Sequence, residues 1–443
     1  MYHDVSVMSE YIKGGFKLEF YSPSEKIRLM RKKFRVNQSQ LECINMTRAF
    51  ISMMESGKRT VSKKSSKLLV ERFNEIAKRI SANLNLDDEY FSRTPMEDAR
   101  YYCERELQSA ESLSYEELEE LAEIEKKFEL DDLMAYTYKI WGIKYLNDND
   151  YTQAFIALNN SLGKYKELKL EKEQIEVYMS LSLCKIRKNC FEDAVFFYKQ
   201  AIYYAREVEN LAAYYKASYS LALVYSQIAK YEQAVDIIEN TILSAENKVD
   251  KNISIKAMLT RASIMAVTNQ LDDAEHEFHM LEKIIGNTNL PQLALIYTNL
   301  SEIYYKKEDF EKSLKYISLA QSLKVQCDKP TLPHVLGLKG KVLLKQGLYE
   351  ESLMLFELAI DMAEQYKRFE ALIENYRDLV SVLETKKDYD KIKDKMYRLL
   401  DTLETNNLTD GKRFAIYKLA HVEALQGNHE ESIRLLNEIE PLI

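Results

Sequence analysis

Small and apolar residues return along most of the chain at a spacing near forty, and this pattern predicts stacked helical hairpins. The anchors are Ala154, Ala194, Ala234, Ala274, Ser313, Ser352, Ile392 and Ser432, in steps of 39 or 40. Twelve residues before each stand Gly142, Ser182, Ala222, Ala262, Ser301, Gly340, Val380 and Ala420. Three residues before each stands Tyr151, Phe191, Tyr231, Leu271, Phe310, Tyr349, Tyr389 or His429. Paired small residues let two helices approach closely, and the aromatic ring wedges into the turn between them. Capping and helix-breaking residues mark those turns, among them Asn147–Asp150, Lys188-Asn189, Gly347 and Gly427-Asn428. One hairpin cannot bury its apolar stripe alone, so the units are expected to stack.

Upstream of the repeats the pattern breaks into shorter helices. Ser22-Pro23-Ser24-Glu25 opens a helix to about Lys33, with Ser as cap, Pro at the first position and Glu at the third. Asn37 caps a short helix from Gln38 to about Cys43. Thr47 caps the next, with Ile51 and Met54 inward, and Gly57 ends it. Ser62 or Ser65 opens a fourth helix through Ile80, and Leu84–Phe91 reads as a short fifth one before Pro95. Two further helices are expected over Met96–Ala110 and Tyr115–Phe128, the second opened by a Ser114/Glu117 capping box.

Composition narrows the class. With 11 Gly and 6 Pro in 443 residues, turns and strand edges are too scarce for a β-rich or disordered chain, which leaves an all-α protein. No apolar run approaches the length of a membrane span, and the first residues lack the pattern of a signal peptide. Five scattered Cys without a CxxC suggest reduced thiols, so the expected location is the cytoplasm. The net charge of −8 hides a split. Residues 22–80 hold 15 Lys and Arg against five Asp and Glu, a net of +10, while residues 81–443 carry −17. A basic module of that size favours phosphate partners.

The repeats resemble the tetratricopeptide repeat, with Trp141-Gly142…Tyr145…Ala154 closest to its consensus, although a period of 40 exceeds the usual 34. The basic module resembles the Xre and lambda-repressor type of helix-turn-helix domain. Asn37-Gln38…Leu41, Thr47–Ser52 and Glu55-Ser56-Gly57-Lys58-Arg59 carry that likeness. The turn Glu42–Asn45 is one residue shorter than usual, and Phe50 and Met53 make the second helix more apolar. A domain of this type followed by such repeats resembles the RRNPP family of peptide-pheromone receptors, in its NprR-like build. The resemblance implies an N-terminal extension over 1–21, a helix-turn-helix domain over 22–94, and a helical linker and cap over 95–134. A right-handed solenoid of about eight hairpins would follow over 135–443.

It also implies a cytosolic, dimeric transcription regulator that holds operator DNA and a short imported signalling peptide. In such a domain Arg48, Ala49, Ser52 and Met53 face base edges. Gln38, Thr47, Lys58, Arg59, Lys63 and Lys64 lie along the phosphates. The peptide would lie along the first helices of the hairpins. Its candidate contacts are Lys139, Met179, Arg187, Tyr219, Gln227, Thr298, Asn299, Glu302, Tyr305, Lys341, Arg377 and Ser381. Asn299 and Gln227 suit the peptide backbone, Arg187, Lys341 or Arg377 a C-terminal carboxylate, and Tyr219 and Tyr305 apolar side chains. The alternative is a scaffold whose repeats bind a response-regulator protein. No catalytic constellation converges, and no cofactor is implied. His276-Glu277-Phe278-His279 is one residue short of HExxH and lacks a third ligand, so no metal site is expected.

Overall fold

The computed structural model describes residues 18–80, 84, 86–406 and 408–439. The interpretation of residues 1–21 as an extension falls mostly outside them. Among the described residues the chain is helical, and its one β feature is an isolated bridge between Cys43 and Met46. No helix among them is long and apolar enough to cross a membrane. The chain forms two compact units, Met1–Val224 and Tyr225–Ile443.

The first unit begins with α1 (Pro23–Lys33), α2 (Arg48–Glu55) and α3 (Lys63–Arg79), followed by α4 (Pro95–Leu107) and α5 (Tyr115–Lys127). Local chemistry starts each helix where the pattern places it. Capping boxes open α1 (Ser22 with Glu25), α4 (Thr94 with Glu97) and α5 (Ser114 with Glu117). Thr47 and Ser62 cap α2 and α3 through their side-chain oxygens. Gly57, at φ 74°, turns the chain out of α2.

Two expected helices differ. Gln38 begins only a 3₁₀ turn to Leu41, because Asn37 and Gln40 cap each other within one turn and Glu42 then becomes extended. The Glu42 carboxylate accepts the Arg48 N–H at 2.6 Å, and the Cys43–Met46 bridge closes the tight loop. The described part of 84–91 forms turns rather than a helix. Ser66 Oγ takes the Phe91 N–H at 2.9 Å, and Arg93 takes both oxygens of Asp87 at 2.6 and 2.7 Å. Those tertiary bonds replace the helical ladder. The core beneath is Ile27, Leu41, Ile51, Met54, Leu69, Phe73 and Phe91, all fully buried.

A buried ion network fastens α1 to α4. Lys26 Nζ lies 2.9 Å from Asp98 Oδ2 and donates to the carbonyls of Tyr90 and Arg93 at 3.0 and 3.1 Å. Arg93 Nε donates to Asp98 Oδ1 at 2.9 Å, and its guanidinium lies over the Tyr101 ring. Burial pulls the Lys26 pKa below its usual value against the opposing charge of Asp98.

Hairpin helices complete the first unit: α6 (Asp131–Asn147), α7 (Tyr151–Glu167), α8 (Glu171–Arg187) and α9 (Phe191–Glu207). The division between units falls within α10 (Leu211–Gln227). The second unit holds α11 (Tyr231–Ile237), α12 (Lys251–Val267), α13 (Leu271–Ile285), α14 (Leu290–Lys306) and α15 (Phe310–Cys327). It continues through α16 (Leu332–Lys345), α17 (Tyr349–Gln365), α18 (Phe369–Lys386), α19 (Tyr389–Thr405), α20 (Lys412–Leu425) and α21 (His429–Ile439). α11 is short because Ile238–Ile242 winds as a π turn and Leu243–Lys248 as a 3₁₀ turn.

The small-residue pairs have a specific bond. The hydroxyls of Ser313, Ser352 and Ser432 donate to the carbonyls of Ser301, Gly340 and Ala420, the partners twelve residues earlier, at 2.8–2.9 Å. Serine at the anchor thus ties the two helices of its hairpin at their closest approach. Gly340 leaves room for Phe356, since a Cβ there would lie 2.8 Å from the ring.

The turn inside each hairpin contains one left-handed residue, five before the anchor: Asn149, Asn189, Ala229, Asn269, Glu308, Gly347, Lys387 and Gly427. Asn and Gly adopt this conformation readily, whereas Ala229, Glu308 and Lys387 incur the Cβ penalty. Lys387→Gly is therefore expected to stabilise the second unit by about 1 kcal/mol. Chemical denaturation checks this, and a destabilised variant would show that Lys387 contributes a contact larger than its strain.

Candidate functional site

In the basic module the two faces of α2 separate cleanly. Ile51 and Met54 are fully buried, while Arg48, Ala49 and Met53 are exposed and Ser52 is half-buried. The Arg48 guanidinium forms no ion pair among the described residues. Thr47, Lys58, Arg59, Lys63 and Lys64 are exposed around this helix. Arg59 lies over the Phe50 ring at 4.3 Å, which gives the apolar Phe50 a local role. Lys63 Nζ meets Glu89 Oε1 at 2.7 Å, an exposed pair that water screens.

Gln38 has an internal role. Its Nε2 donates to Glu55 Oε2 at 2.7 Å. Arg31 grips the same carboxylate through Nε and Nη2, at 2.8–3.3 Å, and Nη1 donates to the Val36 carbonyl. Arg28 donates to the Glu55 carbonyl. Glu55, at the end of α2, is thus the hub that fixes that helix against α1 and the 3₁₀ turn. Burial works to raise its pKa, but the bonds and charges of Arg31 and Gln38 outweigh it and hold the carboxyl below its usual range.

The candidate peptide contacts lie in both units. In the first, Lys139 Nζ pairs with Glu176 Oε2 at 2.9 Å and lies over Tyr136. Met179 and Tyr219 are half-buried and Arg187 is exposed. In the second, Gln227, Arg377 and Ser381 are exposed, and Arg377 lies over the Phe414 ring. Thr298 is buried and donates to the Ala294 carbonyl of its own helix, so it lies in the packing layer rather than on an open face. Asn299 is half-buried, with Nδ2 on the Leu295 carbonyl at 2.9 Å.

Glu302, Tyr305 and Lys341 come together in the second unit. With Lys306, His334, Gly337, Leu338, Glu374, Asn375 and Asp378 they line a pocket of about 610 Å³, its open mouth included. α14, α16 and α18, the first helices of three successive hairpins, form its walls. Lys341 Nζ reaches Glu374 Oε1 at 2.7 Å and Asp378 Oδ2 at 3.2 Å, and His334 Nε2 lies 3.5 Å from Glu302 Oε1. Burial works against the Lys341 ammonium, but the two carboxylates outweigh it and raise its pKa. Burial also tends to raise the Glu374 pKa, yet Lys341 holds it low. Burial pushes Glu302 and Asp378 up, more than the nearby cations pull them down. Lys341 is therefore an internally paired cation, unlike the free carboxylate receptor its position suggests.

Sequence reasoning left out Glu374, Asn375 and Asp378. The signal for Asp378 was present, because it occupies the same repeat position as Asn299, fourteen before the anchor. Asn375 lies on the flank of α18 and reaches the pocket only because Gly337 faces it. A Cβ on Gly337 would lie 2.3 Å from Asn375 Oδ1. Among the described residues no three His, Cys, Asp or Glu side chains could hold a metal ion.

The tetratricopeptide-repeat family model matches residues 294–324 and 333–366, which include most of α14, α15, α16 and α17. The chain is similar in structure to the apo form of the quorum sensor NprR from B. thuringiensis, with 17% identity, 78% of this chain and 99% of that one covered, and a TM-score of 0.49. It is similar to NprR in complex with its cognate peptide NprX, at 18%, 78%, 98% and 0.46 in the same order. It is also similar to aspartyl phosphate phosphatase F from Bacillus subtilis, at 17%, 97%, 96% and 0.48. No curated protein sequence matches the chain.

Proposed function

We propose that the chain is a peptide-responsive transcription regulator of the RRNPP kind. Its basic module acts as a helix-turn-helix domain, and the first helices of its repeats hold a short linear peptide. The observation that carries this reading is the division of α2, which buries Ile51 and Met54 and leaves Arg48, Ala49 and Met53 outward. A helix anchored on one side and open on the other can enter a major groove by its N-terminal half. Arg48 has the fork to bridge the two acceptors of a guanine, and Ala49 or Met53 can meet a thymine methyl. Thr47, Lys58, Arg59, Lys63 and Lys64 are placed to hold phosphates and set the register. Gln38 supports them by fixing α2 through Glu55.

One such domain binds weakly, so the regulator acts as a homodimer on paired half-sites. It works in the cytoplasm, where both DNA and an imported peptide are within reach. The pocket lined by Glu302, Tyr305 and Lys341 supports the peptide reading. It opens on helices that repeat, and a linear ligand can extend from one repeat to the next.

Fluorescence anisotropy tests the reading on DNA from around the protein's own gene, across a salt series and with short peptides encoded beside it. Arg48→Ala is expected to weaken binding to the preferred site about tenfold, with little change on unrelated DNA. Peptide is expected to shift the wild-type curve. Equal binding to all DNA, unaffected by Arg48→Ala, would remove the groove reading. Retention of a response regulator by the same protein would then favour the scaffold.

A further inference from the structure

The α14–α16–α18 pocket has its ammonium groups committed and one buried acceptor, Asn375 Oδ1, open. Lys341 is occupied by Glu374 and Asp378, and Lys306 Nζ donates to the Ala266 carbonyl at 2.8 Å. Asn375, which is 2% exposed, uses its Nδ2 on the Ala371 carbonyl at 2.7 Å. Its Oδ1 accepts no hydrogen bond among the described residues, whereas Asp378 Oδ2 is held by Lys341 Nζ at 3.2 Å. An unpaired buried acceptor costs free energy that a donor-bearing ligand would recover.

The charge points the same way. Three carboxylates, Glu302, Glu374 and Asp378, face two ammonium groups, Lys306 and Lys341, around one rim. An anion placed here would meet those carboxylates with the nearest ammonium already shared. A cation would meet the unpartnered Asn375 Oδ1 and carboxylates that outnumber the ammonium groups. Gly337 has a part in this, because only a residue without Cβ lets Asn375 Oδ1 stand where it does.

We propose that this pocket receives a cationic donor group, the ammonium or guanidinium of a Lys or Arg side chain in the bound peptide. Asn375 and Asp378 act as its acceptors, and Glu302 contributes from the rim. The proposal rests on the peptide reading above and adds the chemistry that the pocket selects.

The test is isothermal titration of the full chain with N-acetylated, C-amidated peptide mixtures. Each mixture has one central position fixed as Arg, Lys, norleucine or Glu, and the caps remove terminal charges. The Arg or Lys mixture is expected to bind about tenfold more tightly than norleucine, with Glu weakest. That ratio is expected to collapse in Asp378→Asn and in Asn375→Leu. Should Asn375→Leu fail to fold, Asp378→Asn carries the comparison alone. A preference for norleucine or Glu, or a basic preference unchanged in Asp378→Asn, would overturn the proposal while leaving peptide binding intact. Arginine amide alone separates the two readings. If it binds and Asp378→Asn abolishes that binding, while no mixture binds, the cation pocket stands and the peptide reading falls. Saturable binding of neither probe overturns both.

Discussion

Asp98→Ala is expected to destabilise the first unit by about 3–5 kcal/mol. The size follows from what the substitution leaves behind. Lys26 is 1% exposed and Arg93 is 8% exposed, and among the described residues Asp98 is the one carboxylate that touches both. Without it, two cations remain in a low-dielectric site with Asp87, backbone carbonyls and the rings of Tyr90 and Tyr101 to hold them. Breaking a buried pair costs far more than the pair contributes, because the orphaned charge stays desolvated. Asp98→Asn keeps the shape and some hydrogen bonds, so its loss is expected to be smaller. Urea unfolding of the three proteins gives the order, and a loss below about 1 kcal/mol for Asp98→Ala would show that water reaches the network. The same network joins α1 of the basic module to α4, so Asp98→Ala is also expected to loosen the module from the helices that follow it.

Nothing local in the sequence announces that network. Lys26 and Asp98 are 72 positions apart, and each alone resembles a charge on a solvated helix. The capping boxes of α1, α4 and α5 were legible because their chemistry spans four consecutive residues. The hairpins were legible because one packing solution is repeated, so that Ser313, Ser352 and Ser432 signal the same bond three times. The segment 84–91 was misread because its apolar spacing suits a helix, while Arg93 and Ser66 supply tertiary bonds that spacing does not encode. In the pocket, Glu302, Tyr305 and Lys341 occupy repeat positions that face outward and could be reached by counting. Counting locates the Lys341 side chain, but not the Glu374 and Asp378 carboxylates one helix away that neutralise it.

The second large effect is expected at Glu55, where stability and the proposed DNA contact meet. Glu55→Ala removes the carboxylate that Arg31 and Gln38 share and leaves a partly buried guanidinium without its partner. A loss of about 2–4 kcal/mol is expected, below that at Asp98 because the Arg31 side chain remains 24% exposed. The position of the residue gives the change a second consequence. Glu55 ends α2, and α1 and the 3₁₀ turn hold that helix through it. Freed there, α2 can rock against the core, and Arg48 loses its fixed aim without being altered. The proposed sequence-selective DNA binding is therefore expected to fall even under conditions where Glu55→Ala remains folded. Glu55→Gln discriminates, since it retains the size and one acceptor and is expected to recover part of both losses. Acid adds a further check. The folded-state pKa of Glu55 lies below its unfolded value, so its stabilisation is complete above the ordinary glutamate range and is lost as pH falls through the lowered value. Wild type is thus expected to lose stability with acid more steeply than Glu55→Gln. Parallel acid curves for the two proteins would mean that Glu55 is no more stabilised in the folded state than in the unfolded chain, and that packing alone holds α2 in place.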